Sequence, residues 1–242
     1  MSLHVAEQSL KTDSGLIKYQ LIKSKKRKTV SISILRSGMV KVNAPAQIAA
    51  KEIERLVNDK SRWISEKIDF FANTCASLPK REYKSGETFK YMGRDLLLKV
   101  ICSGEKKVFV EDGQLVATAQ SQQYSPTAIK NRIVEFYRAE ALNYLSKRCE
   151  YYAQQMGLRY KDVSVRLNKN TWGCCYSDGR IRFNLKLLMT PPEIIDYVVI
   201  HELCHLVHQN HSSRFWDLVS RHYPEYKAAI EHMDINRALY EL

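Results

Sequence analysis

Thr190-Pro191-Pro192-Glu193-Ile194-Ile195-Asp196-Tyr197-Val198-Val199-Ile200-His201-Glu202-Leu203-Cys204-His205 starts like a helix and ends on two histidines four residues apart. Thr190 has the chemistry of an N-cap. Proline suits the first helical turn, where no N–H has an intrahelical partner, and Glu193 stands three residues after the cap, as in a capping box. The run Ile194, Ile195, Tyr197, Val198, Val199, Ile200 is apolar. On a helix, residues four apart differ by about 40° in direction and about 6 Å in height. His201 and His205 therefore project side by side and can share a Zn²⁺ at roughly 2.0–2.1 Å from each nitrogen. Glu202, one step round the helix, is too oblique to be an easy ligand but can reach a water held by the metal. That is where a general base stands in metal-assisted hydrolysis.

Two histidines need a third ligand, and the sequence offers His208, His211, Glu225, Glu231 and His232. His208 shares the face of His201 but lies about 10 Å further along the axis, out of reach on a straight helix. His211 reaches the site if the helix ends before it. Gln209-Asn210 permits this, because Asn tolerates the left-handed conformation at a helix C-terminus. His211 is the favoured ligand, with a downstream Glu as the alternative. Ser213 to His222 then reads as a new helix. Tyr223, Arg214 and His222 are within sequence reach as oxyanion stabilisers, with no basis in the sequence for choosing among them.

Outward from this motif, the second half reads as helices and short strands. Pro126 starts a helix that Gly157 ends, Val163–Leu167 and Arg180–Leu185 are strand-like, and a loop is expected between them. The first half is different. Leu16–Ile22, Thr29–Ile34 and Met39–Val42 read as strands, the second alternating with period two. Residues 47–71 follow one helical pattern. Two strand pairs follow around Phe89–Tyr91, Leu96–Ile101, Lys107–Val110 and Leu115–Ala117, with turns at Met92-Gly93-Arg94 and Glu111-Asp112-Gly113. The polar stretch 119–125 reads as a linker. The expectation is an α+β protein: residues 1–122 form a basic, β-rich region with one helix, and residues 123–242 carry the metal site.

The 242 residues contain 45% hydrophobic and 26% charged residues, ordinary for a soluble globular protein, with no low-complexity tract or obvious repeat. No apolar run approaches the roughly 20 residues of a membrane span, and MSLHVAEQSLKTDSG has no apolar core of a secretory signal, so a cytoplasmic protein is expected. Six cysteines without a CxxC pair indicate neither a disulfide framework nor a cysteine zinc knuckle. Lys and Arg number 38 against 26 acids, a formal net of +12. Up to Gln122 there are 22 basic and 13 acidic residues, a net of +9. That excess could hold nucleic acid or a phosphorylated ligand. The run Lys25, Lys26, Arg27, Lys28, with Arg36, Lys41 and Arg62, is where DNA contacts are expected. A nucleotide phosphohydrolase (a nucleoside triphosphate pyrophosphatase) is the alternative activity, since the same hydroxide could attack phosphorus; the lack of a P-loop counts against it. A module with purely structural zinc is disfavoured, because such sites usually have four protein ligands.

Thr171-Trp172-Gly173-Cys174-Cys175, Gly179–Asn184, Pro191 through His205, and Asn210-His211-Ser212-Ser213-Arg214-Phe215-Trp216 together resemble the YgjP-type metallopeptidase-like family. That family is similar to the SprT/Spartan and WLM proteases that digest DNA–protein crosslinks. The resemblance is specific over the last 75 or so residues and loose over the rest. It implies a zincin-like minimal metalloprotease domain, a zinc site of His201, His205 and His211, Glu202 as catalytic base, and a protein or peptide substrate. It also implies that Ile181, Arg182, Phe183 and Asn184 lie on the active-site edge strand, which would bind an extended peptide by β-augmentation. Relatives usually read Arg-Trp-Gly-Ser-Cys where this chain has Thr171 and Cys174, so the role of that Arg does not carry over.

Overall fold

The structure, a computed structural model, describes residues 4–35, 38–72, 81–121, 124–168 and 171–242. It is mixed α+β, and the chain divides into two compact units, residues 1–80 and 81–242.

The first unit is a four-stranded sheet followed by two helices. Strands β1 (His4–Thr12), β2 (Gly15–Ser24), β3 (Ser31–Ile34) and β4 (Val40–Pro45) lie in the order β1-β2-β4-β3. The two outer pairs are antiparallel and the central β2–β4 pair is parallel. Ile17, Tyr19, Leu21, Val40, Val42 and Ala44, at alternate positions, bury against Ile53, Val57 and Ile64. The single helix expected over residues 47–71 is two: α1 (Ala50–Asp59) and α2 (Ser61–Phe70), broken at Lys60, which has φ −104° and ψ 7°. Asn58 and Asp59 precede the break, and their side chains compete with helical hydrogen bonding. The β1 strand was not expected. Arg36 lies outside the described residues, as do Cys75 and part of the 119–125 stretch.

The second unit begins with a sheet of the same topology. Strands β5 (Thr88–Tyr91), β6 (Arg94–Cys102), β7 (Val108–Glu111) and β8 (Gln114–Ala119) lie in the order β5-β6-β8-β7, again with antiparallel outer pairs and a parallel centre. The architectural repeat is invisible as sequence similarity. Both tight turns expected from sequence are present, with positive φ at Met92, Gly93, Asp112 and Gly113, as type I′ turns require.

This sheet belongs with the metal-site half, so the expected boundary near Gln122 is displaced to residue 80. Phe89, Leu96, Leu98, Leu115 and Ala117 share one core with the helix α3 (Pro126–Met156) and everything after it. The buried residues of α3 are Ile129, Ile133, Tyr137, Ala141, Leu145, Cys149 and Ala153, each four after the last. A four-residue repeat drifts about 40° per step on a helix, so the apolar stripe winds round α3. Near its start Tyr137 donates to the Lys90 carbonyl (2.6 Å) and Glu140 accepts from Tyr91 (3.0 Å). Near its end Arg148 meets Asp196. Gly157, at φ 65°, caps α3 in the left-handed conformation.

A three-stranded sheet follows, β9 (Asp162–Arg166), β10 (Gly173–Cys175) and β11 (Arg180–Asn184), in the order β10-β11-β9. Residues 173–175, expected as loop, are its short antiparallel member. A 3-10 turn, Leu185–Met189, leads into α4 (Pro192–Cys204), followed by α5 (Ser213–His222) and α6 (Tyr226–Asn236). The capping box at Thr190 does not form. Pro191 is the N-cap of α4, and the Thr190 hydroxyl donates to the Leu187 carbonyl at 2.8 Å, closing the preceding turn instead. Met92 and Gly93 N–H groups bond to the Leu188 and Met189 carbonyls (2.7 and 3.3 Å), which docks the β5–β6 turn at the entry to α4.

Arg148 grips Asp196 with two charge-assisted bonds of 2.6 and 2.7 Å, fixing α3 against α4. Both side chains are largely sheltered, 26% and 18% exposed. Asp196→Ala should destabilise the protein by about 2 kcal/mol in urea unfolding, as hydrogen bonds to charged groups are worth. A change within error would show the pair to be no more than a surface contact. Among the described residues no helix is long and apolar enough to cross a membrane.

Candidate metal centre

Helix α4 is apolar on nearly every side: Ile194, Ile195, Tyr197, Val198, Val199, Ile200, Leu203 and Cys204 are all buried. Burial on all sides fixes its rotation, and with it the direction of its last turn. His201 and Glu202 stand on that turn, and His205 is its C-cap. The chain then turns, with the His208 N–H on the Cys204 carbonyl (3.0 Å), and returns with His211 just ahead of α5. The expected order of helix, stop, ligand and new helix is therefore present.

His201, His205 and His211 each bring a ring nitrogen within 4.8 Å of the others. Nε2 of His211 lies 3.1 Å from Nε2 of His201. Two nitrogens on one tetrahedral zinc at about 2.0–2.1 Å are roughly 3.3 Å apart, so the spacing fits a shared ion. The other ring nitrogens are spoken for: His205 Nδ1 meets the His208 carbonyl at 3.0 Å, and His201 Nδ1 lies 3.3 Å from the Tyr197 hydroxyl. Such partners leave Nε2 free to ligate and fix the ring planes. Burial, helped by the neighbouring imidazoles, lowers the His201 pKa to about 3 and lowers that of His205 too. Both rings are thus neutral, the form that binds metal. Phe215, fully buried, is the platform: its ring centroid is 4.9, 4.5 and 4.8 Å from those of His201, His205 and His211.

Glu202 is 5% exposed, and its Oε2 has no hydrogen-bond partner. Desolvation raises its pKa to about 8, opposed by a hydrogen bond with the Cys175 backbone. Gly173 lies against it so closely that a Cβ there would stand 2.7 Å from both Cγ and Cδ of Glu202. The residues fit a bound zinc ion, with three imidazoles as donors and a buried carboxyl beside them.

The structure corrects the expected role of residues 181–184. Strand β11 is the centre of its sheet, paired with β10 on one side and β9 on the other, so its backbone cannot accept another strand. Ile181 and Phe183 are fully buried core. Asn184 is committed to scaffolding, its amide donating to the Asn168 and Thr171 carbonyls at 2.8 Å. Arg182 lies over the Tyr176 ring at 5.1 Å. The edge of the sheet is β10, whose three residues are too few to carry a strand periodicity in the sequence.

Of the other candidates, His208 contributes its carbonyl rather than its ring, while Arg214 and His222 line a separate cleft. Tyr223 donates to the Glu193 carbonyl at 2.9 Å and packs on Tyr197. Tyr197 itself was missed. It sits four residues before His201, the helical spacing at which a hydroxyl can reach the imidazole. Tyr197→Phe should weaken zinc binding about tenfold, at the low end for loss of a ligand's orienting partner. Chelator competition measures this, and unchanged affinity would rule the hydroxyl out. Lys25, Lys26 and Lys28 are exposed on the β2–β3 connection, whereas Arg27 folds back onto Ser31 and the Thr29 carbonyl. The cysteines at 102, 149, 174, 175 and 204 are free thiols, Cys204 on the packed side of α4 as expected.

A three-histidine cluster beside a buried carboxylate is the equipment of a metal-dependent hydrolase. The YgjP-like family, in its metallopeptidase domain, matches residues 28–236, and the chain belongs to that family. It is thus a metallopeptidase-domain protein. No curated protein matches it. Among solved structures it is similar to the metallopeptidase zymogen of Pyrococcus abyssi abylysin, at 26% identity over 37% of this chain and 90% of that one. The TM-score of 0.34 is too low for that likeness to define the fold.

Proposed function

We propose that the chain is a zinc-dependent metallopeptidase of the zincin type, in which His201, His205 and His211 hold one Zn²⁺ and Glu202 is the general base. The observation that carries this reading is the convergence of three imidazoles beside a buried carboxylate oxygen without a partner. Bound there, zinc would polarise the scissile carbonyl and bring the pKa of the attacking water toward about 7. Glu202 accepts the proton from the attacking water and passes it to the amine nitrogen as the C–N bond breaks. Tyr197 and the His208 carbonyl hold two of the imidazoles in orientation.

The peptide is expected along β10 rather than β11. Trp172 O and Tyr176 N engage β11 at 2.8 Å each, and strand alternation turns the backbone of Gly173 the other way. The Cys175 N–H is taken by Glu202, so Gly173 is the group left to pair with an extended substrate. A cleft of about 280 Å³ beside His201 and Glu202, with Trp172, Val198, Ile230 and Met233 in its lining, would accept an apolar side chain next to the scissile bond. The substrates are unfolded or extended proteins, DNA-associated ones among them. The support for DNA is charge: the first unit has 15 Lys and Arg against 7 Asp and Glu, a net of +8. The free thiols support a cytoplasmic location.

The test is a time course with zinc-loaded protein on an unfolded protein, with and without single-stranded DNA, alongside a panel of nucleoside triphosphates. Cleavage that needs zinc and Glu202 is expected, and stimulation by DNA would support the DNA-associated substrates. Glu202-dependent phosphate release from nucleotides, with the protein left intact, would replace this reading with a nucleotide phosphohydrolase.

A further inference from the structure

A second cleft in the same unit, about 360 Å³, opens between the C-terminal end of α3, the turn after α4 and one face of α5. Arg214 and Arg221 both line it. Seven residues apart, they lie on the same face of α5, with about 10 Å of rise between them. Among the described residues neither guanidinium has a hydrogen bond or an ion pair. His208 and His222 line the same cleft, Asp217 is the only carboxylate among its described lining residues, and Leu218 lies between the arginines on the helix face. None of the metal ligands lines it. Arg214 and Arg221 are exposed, and two guanidiniums without a protein partner on one concave face leave their N–H donors available to an anion bound between them. Guanidinium is also the side chain that best matches phosphate oxygens, through paired N–H donors. The cleft's volume lies in the range of small-molecule sites.

The geometry points to a binding site for a small phosphate-bearing molecule of nucleotide size, held by Arg214 and Arg221 and separate from the metal centre. The imidazoles of His208 and His222 add donors to the same anion, and Leu218 offers an apolar surface to whatever carries the phosphates. The site does not depend on the peptidase reading, because none of its side chains is a proposed metal ligand or the proposed base.

Calorimetric titration of the full chain with inorganic tripolyphosphate, and separately with ATP, tests this. One site per chain is expected, weakening steeply as salt rises. Binding should fall at least tenfold in Arg214→Gln/Arg221→Gln and stay unchanged in Lys25→Gln/Lys26→Gln/Lys28→Gln. All variants should show wild-type melting temperatures, since the altered side chains are exposed. Titrations of zinc-loaded and zinc-stripped protein should agree. Binding that vanishes with the zinc while surviving the double arginine change would place the anion at the metal and overturn the proposal. So would an affinity unchanged by the arginine substitutions, or no binding of either probe. Arginine-dependent binding of a single-stranded oligonucleotide, with no binding of tripolyphosphate or ATP, would overturn the small-molecule assignment in favour of a nucleic-acid surface.

Discussion

Glu202→Gln should abolish peptide cleavage, by about 10²–10⁴-fold, the usual contribution of a positioned proton-transfer group, while zinc content stays at one per chain. The amide keeps the shape of the side chain and its buried surroundings but cannot take a proton, so the loss falls on turnover rather than on folding or metal affinity. A variant with wild-type turnover would sink the mechanism. The same substitution has a second, opposite consequence in metal-free protein. There burial holds the Glu202 pKa at about 8 against an ordinary 4.5. Between those values the folded chain keeps a proton that the unfolded chain has released, so stability falls as pH rises through that window. Removing the titrating group removes the loss. The metal-free variant should therefore melt several degrees above metal-free wild type near pH 8, and close to it near pH 4. The positive charge expected at the histidine cluster lowers the carboxyl pKa again, which is what makes it a base at neutral pH in the loaded protein.

Gly173→Ala should cost nearly as much activity, about 10²-fold or more, although it replaces neither a proposed ligand nor the proposed base. A Cβ at 173 would lie 2.7 Å from Cγ and Cδ of Glu202, well inside contact distance. The strand cannot retreat, because Trp172 O and Tyr176 N are bonded to β11 on either side of it. Glu202 must swing away, into a packed helix–sheet junction that leaves its carboxylate misplaced, and displacements of this size are costly for general base catalysis. Overpacking should also lower stability by about 1–3 kcal/mol. Steady-state cleavage with zinc analysis separates the effects: full zinc occupancy with lost turnover is expected, and wild-type turnover would mean that the strand or the carboxylate yields without consequence.

The three-histidine cluster was legible in the sequence for a local reason. Its geometry depends on helical spacing and on one helix stop, both of which are properties of consecutive residues. His201, Glu202 and His205 needed only the 3.6-residue turn; the stop ahead of His211 comes earlier than Gln209-Asn210, since α4 ends at Cys204 and Asn210 does not take the left-handed conformation. The turns at Met92-Gly93 and Asp112-Gly113, the end of α3 at Gly157 and the bounds of α5 were legible for the same reason. Thr190 shows the limit even of local chemistry: its hydroxyl had a closer acceptor at Leu187 than the helix it was expected to cap.

What escaped the sequence depended on partners distant along the chain. Residues 180–184 alternate as any strand does, and nothing in them says whether a neighbour pairs on one side or both; β10 makes β11 central. The division at residue 80 rather than 122 follows from a winding stripe on α3 that binds the second sheet at one end and α4 at the other. By itself the sequence determined which residues can hold a metal and which carboxylate stands beside it, because side-chain direction on a helix is set by backbone geometry alone. Only the tertiary structure decided that Gly173 is pressed against Glu202, that Phe215 carries all three imidazoles, and that Arg214 faces a different cleft, because burial and contact are made by segments that meet only when the core closes.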